Sequence, residues 1–154
     1  MASAAPLQFG TPDADALYRD RPAAFGVVEQ DGRLALVKIT KPAAAPFFDL
    51  PGGAIERGES DSQAMVREFG EETGLVVRAG ELLTRADQYF RTTEGEPVNN
   101  RSVIFRADAV GEDAALKIEQ DHELVWVLPD EAMRRLRHDS HAWGVLCWLR
   151  KTAA

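Results

Sequence analysis

The sequence predicts a single mixed α/β domain, and three observations favour this fold class. The chain has 154 residues, close to the size of about 150 residues that is typical of one domain. Hydrophobic residues make up 45% of it and charged residues 28%, which is the balance of an ordinary globular protein. Strand-like runs and helix signals occur together without a repeat, a low-complexity tract or a linker. We therefore expect one domain over residues 1–154.

The N-terminal part is predicted to be an arm followed by a hairpin. Residues 1–20 are rich in Ala, Pro and Asp and indicate a loose arm with one short edge strand at Leu7–Phe9. Ala24–Glu29 and Arg33–Thr40 are β-prone runs. The pair Asp31-Gly32 between them favours a tight turn because both residues tolerate positive φ.

The next segment leads from a loop into a helix. Two prolines require a loop over residues 41–47, and residues 48–53 predict a short strand that ends in a glycine turn. Ser60 and Gln63 have the spacing of a capping box, which satisfies free N–H groups at a helix start. The helix is expected to end before Gly74, a residue typical of helix C-termini.

The second half of the chain supplies more strands and two more helices. The predicted strands are Leu75–Leu83, Ala86–Arg91, Arg101–Val110 and Leu124–Leu128. Thr93–Pro97 is a turn between the second and third of them. Pro129 opens a helix that continues to about Arg137, and Asp139 or Ser140 is expected to cap the last helix.

Charge and cysteine content exclude several classes of protein. With 18 basic and 25 acidic residues the net charge is −7, which disfavours binding to a nucleic acid polymer or to an anionic membrane. A small polyphosphate screened by cations remains compatible. The one cysteine, Cys147, cannot form an intramolecular disulfide and is expected to be a buried thiol. Because no membrane-spanning run or signal-peptide pattern is present, we expect a cytoplasmic protein.

The predicted central helix places acidic residues where they cost stability. Glu68, Glu71 and Glu72 stand at i, i+3 and i+4 and share one face, where each pair repels by about a few tenths of a kcal/mol. Two of them lie in the last turn, where the helix dipole disfavours anions. Arg67 is the one basic residue nearby and has the less favourable spacing to Glu71. A solvated acidic face is the alternative, but a glycine turn just upstream favours a site for Mg²⁺ or Mn²⁺.

These residues form a pattern that resembles the Nudix box. Nine specified positions over 23 residues are filled at the right spacing, namely by Gly53, Glu59, Arg67, Glu68, Phe69, Glu71, Glu72, Gly74 and Leu75. Pro51-Gly52 in front of the box is also similar to the family. Phe69, where Leu is commoner, and Gly70 at a free position are small departures. We expect Gly70 to weaken the helix by up to about 1 kcal/mol relative to Ala.

The resemblance implies a Nudix-type α/β/α sandwich with a mixed central β-sheet. It also implies a Mg²⁺-dependent pyrophosphohydrolase that cleaves a nucleoside diphosphate linked to another moiety. By the resemblance, Glu68, Glu72 and the backbone carbonyl of Gly52 are metal ligands, Glu71 assists them, and Arg67 orients the carboxylates. Such cleavage requires neutralised phosphate charge and an activated water.

The catalytic base remains open at this point, because the family uses either a Glu of the box or one from a later loop. Residues 119–123 are the matching late segment, in which we favour Glu123 or Glu119 over Asp121. His122 is expected to be a structural or surface residue. His138 and His141 carry no signal of function.

The substrate and the assembly are less determined. Gln88–Phe90 and Asn99–Asn100 are candidates for contact with a base or ribose, although ordinary strand roles are favoured. No coenzyme A signature precedes the box. The expected partner is a small nucleotide-type diphosphate, and a homodimer is left open. A catalytically silent nucleotide-binding module with the same fold is the alternative function.

Overall fold

The computed structural model describes residues 5–153. In chain order its elements are β1 (Leu7–Phe9), β2 (Arg19–Gln30), β3 (Arg33–Ile39), β4 (Phe47–Asp49), β5 (Gly52–Ala54), α1 (Asp61–Thr73), β6 (Leu75–Arg91), β7 (Pro97–Glu112), a 3₁₀ turn (Ala114–Leu116), β8 (His122–Val127), α2 (Pro129–Arg135) and α3 (Asp139–Ala153). Among these residues no helix has both the length and the apolar character needed to cross a membrane. Residues 1–4 of the predicted arm lie outside the described residues.

The strands form a mixed sheet in the order β1-β6-β7-β2-β3-β4, with β5 paired to β2 and β8 paired to β3. The predicted hairpin is present, and Asp31 and Gly32 have φ of 53° and 80°. Its two strands pair only at the tip, through Glu29 with Leu34 and Gln30 with Arg33. Beyond the tip, β2 runs parallel to β7 while β3 pairs with β4 and β8.

Two apolar layers enclose the sheet and confirm the α/β/α sandwich. On one side α1 buries Met65 and Phe69 against a cluster that includes Ala24 and Val77. On the other side α2 and α3 contribute to a second cluster, built from residues such as Leu34, Leu36, Ala132, Val145 and Trp148. Cys147 packs half-buried against this second cluster.

Helix α1 has the ends that the sequence predicts. Ser60 Oγ accepts a hydrogen bond from the Gln63 N–H at 3.1 Å, and Gln63 Oε1 accepts one from the Ser60 N–H at 2.9 Å. Gly74 ends the helix in the left-handed conformation, with φ of 79°. These caps fix where the acidic face of α1 begins and ends.

Several boundaries differ from the sequence prediction. β2 begins at Arg19, inside the predicted arm, because it pairs with β7 from that residue onward. The strands predicted at 75–83 and 86–91 are one continuous strand with bulges. The predicted cap of α3 is wrong: Asp139 and Ser140 both lie in its first turn, and the Ser140 N–H donates instead to Oε1 of Gln88 on β6 at 3.1 Å.

Candidate active site

A glycine turn brings the backbone close to the acidic face of α1. Gly52 has φ of +147°, and a Cβ there would lie 2.2 Å from the carbonyl oxygen of Ala24. A Cβ on Gly53 would lie 2.8 Å from Cδ of Glu68. The Gly52 N–H donates to Oε1 of Glu72 at 2.9 Å. The missing side chain of Gly53 therefore leaves the space that the Glu68 carboxylate occupies, whereas Gly52 lets the backbone lie against β2 and donate to Glu72.

Arg67 is the cation at the centre of the acidic cluster. Its Nε and Nη2 donate to the two oxygens of Glu59 at 2.7 and 3.0 Å, and its Nη1 lies 3.0 Å from Glu68 and 3.1 Å from Glu71. The hydrogen bonds to Glu59 and then Glu68 raise the pKa of Arg67 although burial opposes this shift. Arg67 therefore pairs with both Glu68 and Glu71, although its spacing to Glu71 is the less favourable one. Its contact with Glu59, which the turn before α1 brings to it, was not predicted from the sequence.

Glu72 is the most enclosed carboxylate of the cluster. It is 6% exposed, and burial raises its pKa to about 7 despite the hydrogen bonds from His122 and Gly52. Burial also raises the pKa of Glu68, against the effect of Arg67. A nearby cation would therefore stabilise both carboxylates in their ionised form.

A chain of polar contacts joins Glu72 to the edge of the sheet. Nε2 of His122 lies 3.2 Å from Glu72 Oε2, and its Nδ1 lies 2.7 Å from Oδ1 of Asp121. Asp121 in turn pairs with Lys41. Burial alone would lower the pKa of His122, but Glu72 and Asp121 raise it to about 8. The expected role of His122, structural or at the surface, did not include this contact. His122 lies two residues before the predicted strand at Leu124–Leu128, so no local signal indicated the contact.

The two candidate bases have different positions. A carboxylate oxygen of Glu119 lies within 4.8 Å of ligand atoms of both Asp121 and His122, and the Glu119 N–H donates to the carbonyl of Glu71 at 3.1 Å. Glu123 is exposed, and strand alternation turns it to the face of β8 opposite His122. The structure thus brings Glu119 to the cluster and leaves Glu123 away from it.

A cavity of about 270 Å³ opens beside Glu72 and the glycine turn. Its lining combines cations, aromatic rings and polar groups, among them Arg21, Lys41, Phe47, Asp49, Phe90, Asn100, Arg137, His138 and His141. Arg137 pairs with Asp49 at 2.7 Å and lies over the ring of Phe47, 4.0 Å from its centroid. No signal in the sequence indicated that Arg137, His138 and His141 line a cavity, because their positions depend on the packing of α3 against the sheet.

The residues present fit a divalent cation. Glu68 and Glu72 offer carboxylate oxygens, the ligands that Mg²⁺ and Mn²⁺ prefer. Glu72 is buried and Glu68 half-buried, and burial raises the pKa of both, so that additional positive charge would favour their ionised forms. Gly52 places its backbone directly against Glu72. The donor set is thus made of hard oxygen groups, as such an ion requires.

Sequence comparisons find related proteins. A family model described as NUDIX domain matches residues 18–149. The chain is 35% identical over 89 residues to an ADP-ribose pyrophosphatase from Methanocaldococcus jannaschii, a match that covers 58% of this chain and 51% of that protein. It is 31% identical over 112 residues to a CTP pyrophosphohydrolase from Escherichia coli, covering 70% of this chain and 76% of that protein. The chain thus spans about half the length of the first relative.

Solved structures share the fold. A NUDIX hydrolase from Nitrosomonas europaea superposes with a TM-score of 0.71 at 22% identity, covering 86% of this chain and 90% of that one. A MutT protein from Methanosarcina mazei gives 0.67 at 20% identity, covering 91% and 100%. At this identity the likeness concerns the arrangement of strands and helices.

Proposed function

The chain belongs to the NUDIX family, and from this premise we propose that it is a pyrophosphohydrolase. It uses water to cleave a nucleoside diphosphate linked to another moiety, which yields a nucleoside monophosphate and the phosphorylated moiety. The names of two relatives support this class, because ADP-ribose and CTP both contain a nucleoside diphosphate.

One observation supports the proposal above the others: the buried carboxylate of Glu72 opens into a cavity that is also lined by cationic side chains. Cleavage of a phosphoanhydride needs positive charge on the phosphate oxygens and a water held for attack. Arg21, Lys41 and Arg137 bring positive charge to the lining of this cavity. The carboxylate of Glu72 also lines it and would repel a phosphate unless a cation lies between them.

We propose Mg²⁺ as that cation, with Mn²⁺ able to substitute, held by Glu68, Glu72 and the Gly52 carbonyl. When bound, such an ion would neutralise charge that develops on the phosphate oxygens. Arg67 holds Glu68 and Glu71 in place through its hydrogen bonds at 3.0 and 3.1 Å.

The proposed base is Glu119, which accepts a proton from the attacking water, with Glu71 as the candidate within the box. Glu119 is half-buried, and its backbone is tied to the end of α1. His122 is less suited to the role, because Glu72 and Asp121 raise its pKa to about 8 against the effect of burial. At neutral pH it is therefore mostly protonated and cannot accept a proton. It instead orients Glu72.

A substrate panel tests this function. The purified protein is incubated with ADP-ribose, nucleoside triphosphates and nucleotide sugars, with Mg²⁺ or with EDTA, and the products are separated by chromatography. We expect a nucleoside monophosphate from at least one of them, in Mg²⁺ only. Nucleotide binding by calorimetry without turnover of any compound would contradict the proposal and indicate a silent binding module.

A further inference from the structure

Three polar side chains lie side by side on neighbouring strands near the cavity. Asn100 on β7 is in register with Gln88 on β6 and with Arg21 on β2. Such a row in the middle of a sheet is unusual, since buried polar groups need hydrogen-bond partners.

Of the three side chains, Gln88 has hydrogen-bond partners at both ends of its amide, whereas Asn100 and Arg21 each have a buried polar atom without a partner in the described part of the chain. Gln88 uses both ends of its amide, accepting from the Ser140 N–H and donating to the Tyr89 carbonyl, each at 3.1 Å. Asn100 is 3% exposed, and its Oδ1 has no partner among residues 5–153. Nε of Arg21 is likewise buried without a partner in this range.

Both unsatisfied residues face the cavity, whereas Gln88 does not line it. Burial, followed by the charge of Arg19, lowers the pKa of Arg21, although Glu68 and Glu96 act in the opposite direction. Leaving such groups unpaired costs stability. A ligand that enters the cavity can supply the missing hydrogen bonds.

We propose that Arg21 and Asn100 are specificity-determining residues that recognise the Watson–Crick edge of a pyrimidine base. This inference rests on the proposed function and names the substrate class of the same site. Toward a flat base edge an asparagine amide presents one NH₂ donor group and one carbonyl acceptor, whichever way round it sits. The Nε of Arg21, unpaired among the residues that the structure describes, presents a further donor. The complementary ligand edge therefore has one donor and two acceptors.

Only some bases meet that count. Cytosine has an amino donor, a ring nitrogen acceptor and a carbonyl acceptor, and uracil has one N–H between two carbonyls. The same edge of adenine has one acceptor, and that of guanine has two donors and one acceptor, so each leaves a group of the pair unsatisfied. A phosphate would pair with Arg21 but has no donor for the oxygen of Asn100.

Binding of nucleoside monophosphates tests the proposal without depending on turnover. Calorimetry with CMP, UMP, AMP and GMP is expected to show the two pyrimidine nucleotides binding about tenfold or more tightly than the purine ones. In Asn100→Leu and in Arg21→Met, measured separately, we expect the four affinities to converge within about threefold, through loss of pyrimidine affinity.

Matched control variants lie on the same strands. Asn99 precedes Asn100, faces the other side of the sheet, and pairs its amide with that of Gln8 at 3.0 and 3.2 Å. Asn99→Leu should lower the melting temperature and keep the pyrimidine preference. Arg19→Met, which removes an exposed partner of Glu96, should also keep it. Asn100→Leu should not lower the melting temperature, because it removes an unsatisfied amide.

The outcomes separate this inference from the proposed function. Equal or tighter purine binding, or an equal loss of all four nucleotides in both variants, would overturn it; the latter would indicate a phosphate or ribose contact. A melting temperature lowered as much in Asn100→Leu as in Asn99→Leu would overturn it in favour of a structural role. A pyrimidine preference without any hydrolysis would support the inference and contradict the proposed function. Hydrolysis without a preference for pyrimidine bases would support the proposed function and contradict the inference.

Discussion

The imidazole Nε2 of His122 lies 3.2 Å from Oε2 of Glu72, so that the start of β8 contacts the last turn of α1 inside the site. The contact matters because Glu72 is buried and has few other polar partners, the Gly52 N–H being one. It connects the acidic helix to the loop that contains Glu119. The proposed metal ligand and the proposed base are thus held by one structural unit.

Replacing Arg67 should destabilise the protein in the absence of metal. Arg67→Met leaves Glu59, Glu68 and Glu71 without their shared cation, and these side chains are mostly buried. We expect the free energy of unfolding to fall by about 2–4 kcal/mol in EDTA, measured by urea denaturation. Excess Mg²⁺ should restore part of the loss.

The matched control for Arg67 is Arg78→Met. Arg78 pairs with Asp108 at 3.8 Å with both side chains largely exposed, so we expect a change within about 0.5 kcal/mol. Equal effects of the two substitutions would contradict the central role of Arg67.

His141 should make stability depend on pH in the acidic range. Burial, followed by the charge of Arg137, lowers its pKa to about 3, so from pH 6.5 down to 3 the unfolded chain binds a proton that the native state does not. The contribution of His141 to the free energy of unfolding is therefore complete above about pH 6.5. It is lost as the pH falls below this value, at about 1.4 kcal/mol per pH unit.

The variant His141→Gln isolates this contribution. The Leu50 N–H donates to Nδ1 of His141 at 3.1 Å, and the amide oxygen of glutamine can accept the same hydrogen bond. Glu72, with a pKa raised to about 7, makes stability increase as the pH falls through the same range. The effect of His141 is therefore measured as the difference between wild type and variant, which both contain Glu72. From pH 7 to 5 the wild type should lose about 2 kcal/mol relative to the variant. Parallel stability curves would show that His141 does not titrate as described.

Glu119 and Glu123 provide a paired test of the catalytic base. In Glu119→Gln we expect kcat to fall by about 100-fold or more with little change in KM, because a base acts in the transition state. A higher pH should restore part of the rate. Glu123→Gln, on the other face of β8, should keep kcat within about threefold of wild type. If both variants do so, the base must be sought in the box, first at Glu71.

The parts of this molecule that the sequence predicts best are local. Ser60, Gln63 and Gly74 define α1 because a helix end is satisfied by residues within one turn of it. The Asp31-Gly32 turn is equally local. The spacing of the carboxylates on α1 follows from helical periodicity, and so did their assignment to one face.

What the sequence could not predict depends on long-range packing. The parallel pairing of β2 with β7 sets the neighbours of Arg21 and Asn100, and no local signal encodes it. Asn99 and Asn100 were candidates together, yet alternation turns them to opposite faces. The contact of His122 with Glu72 likewise requires the tertiary fold, since its neighbours come from separate elements.

Glu68 and Glu72 on α1 are proposed to hold the metal ion on which hydrolysis depends, and Glu72→Gln tests this role most directly. The amide keeps the volume and can still accept the Gly52 N–H, so the fold should survive, as a melting curve would show. With Mg²⁺ and a substrate identified from the panel, kcat/KM should fall by about 10³-fold or more, and wild type should be inactive in EDTA. Glu81→Gln, at an exposed partner of Lys151, should match wild type. Activity of Glu72→Gln within about tenfold of wild type, or full wild-type activity in EDTA, would contradict the account.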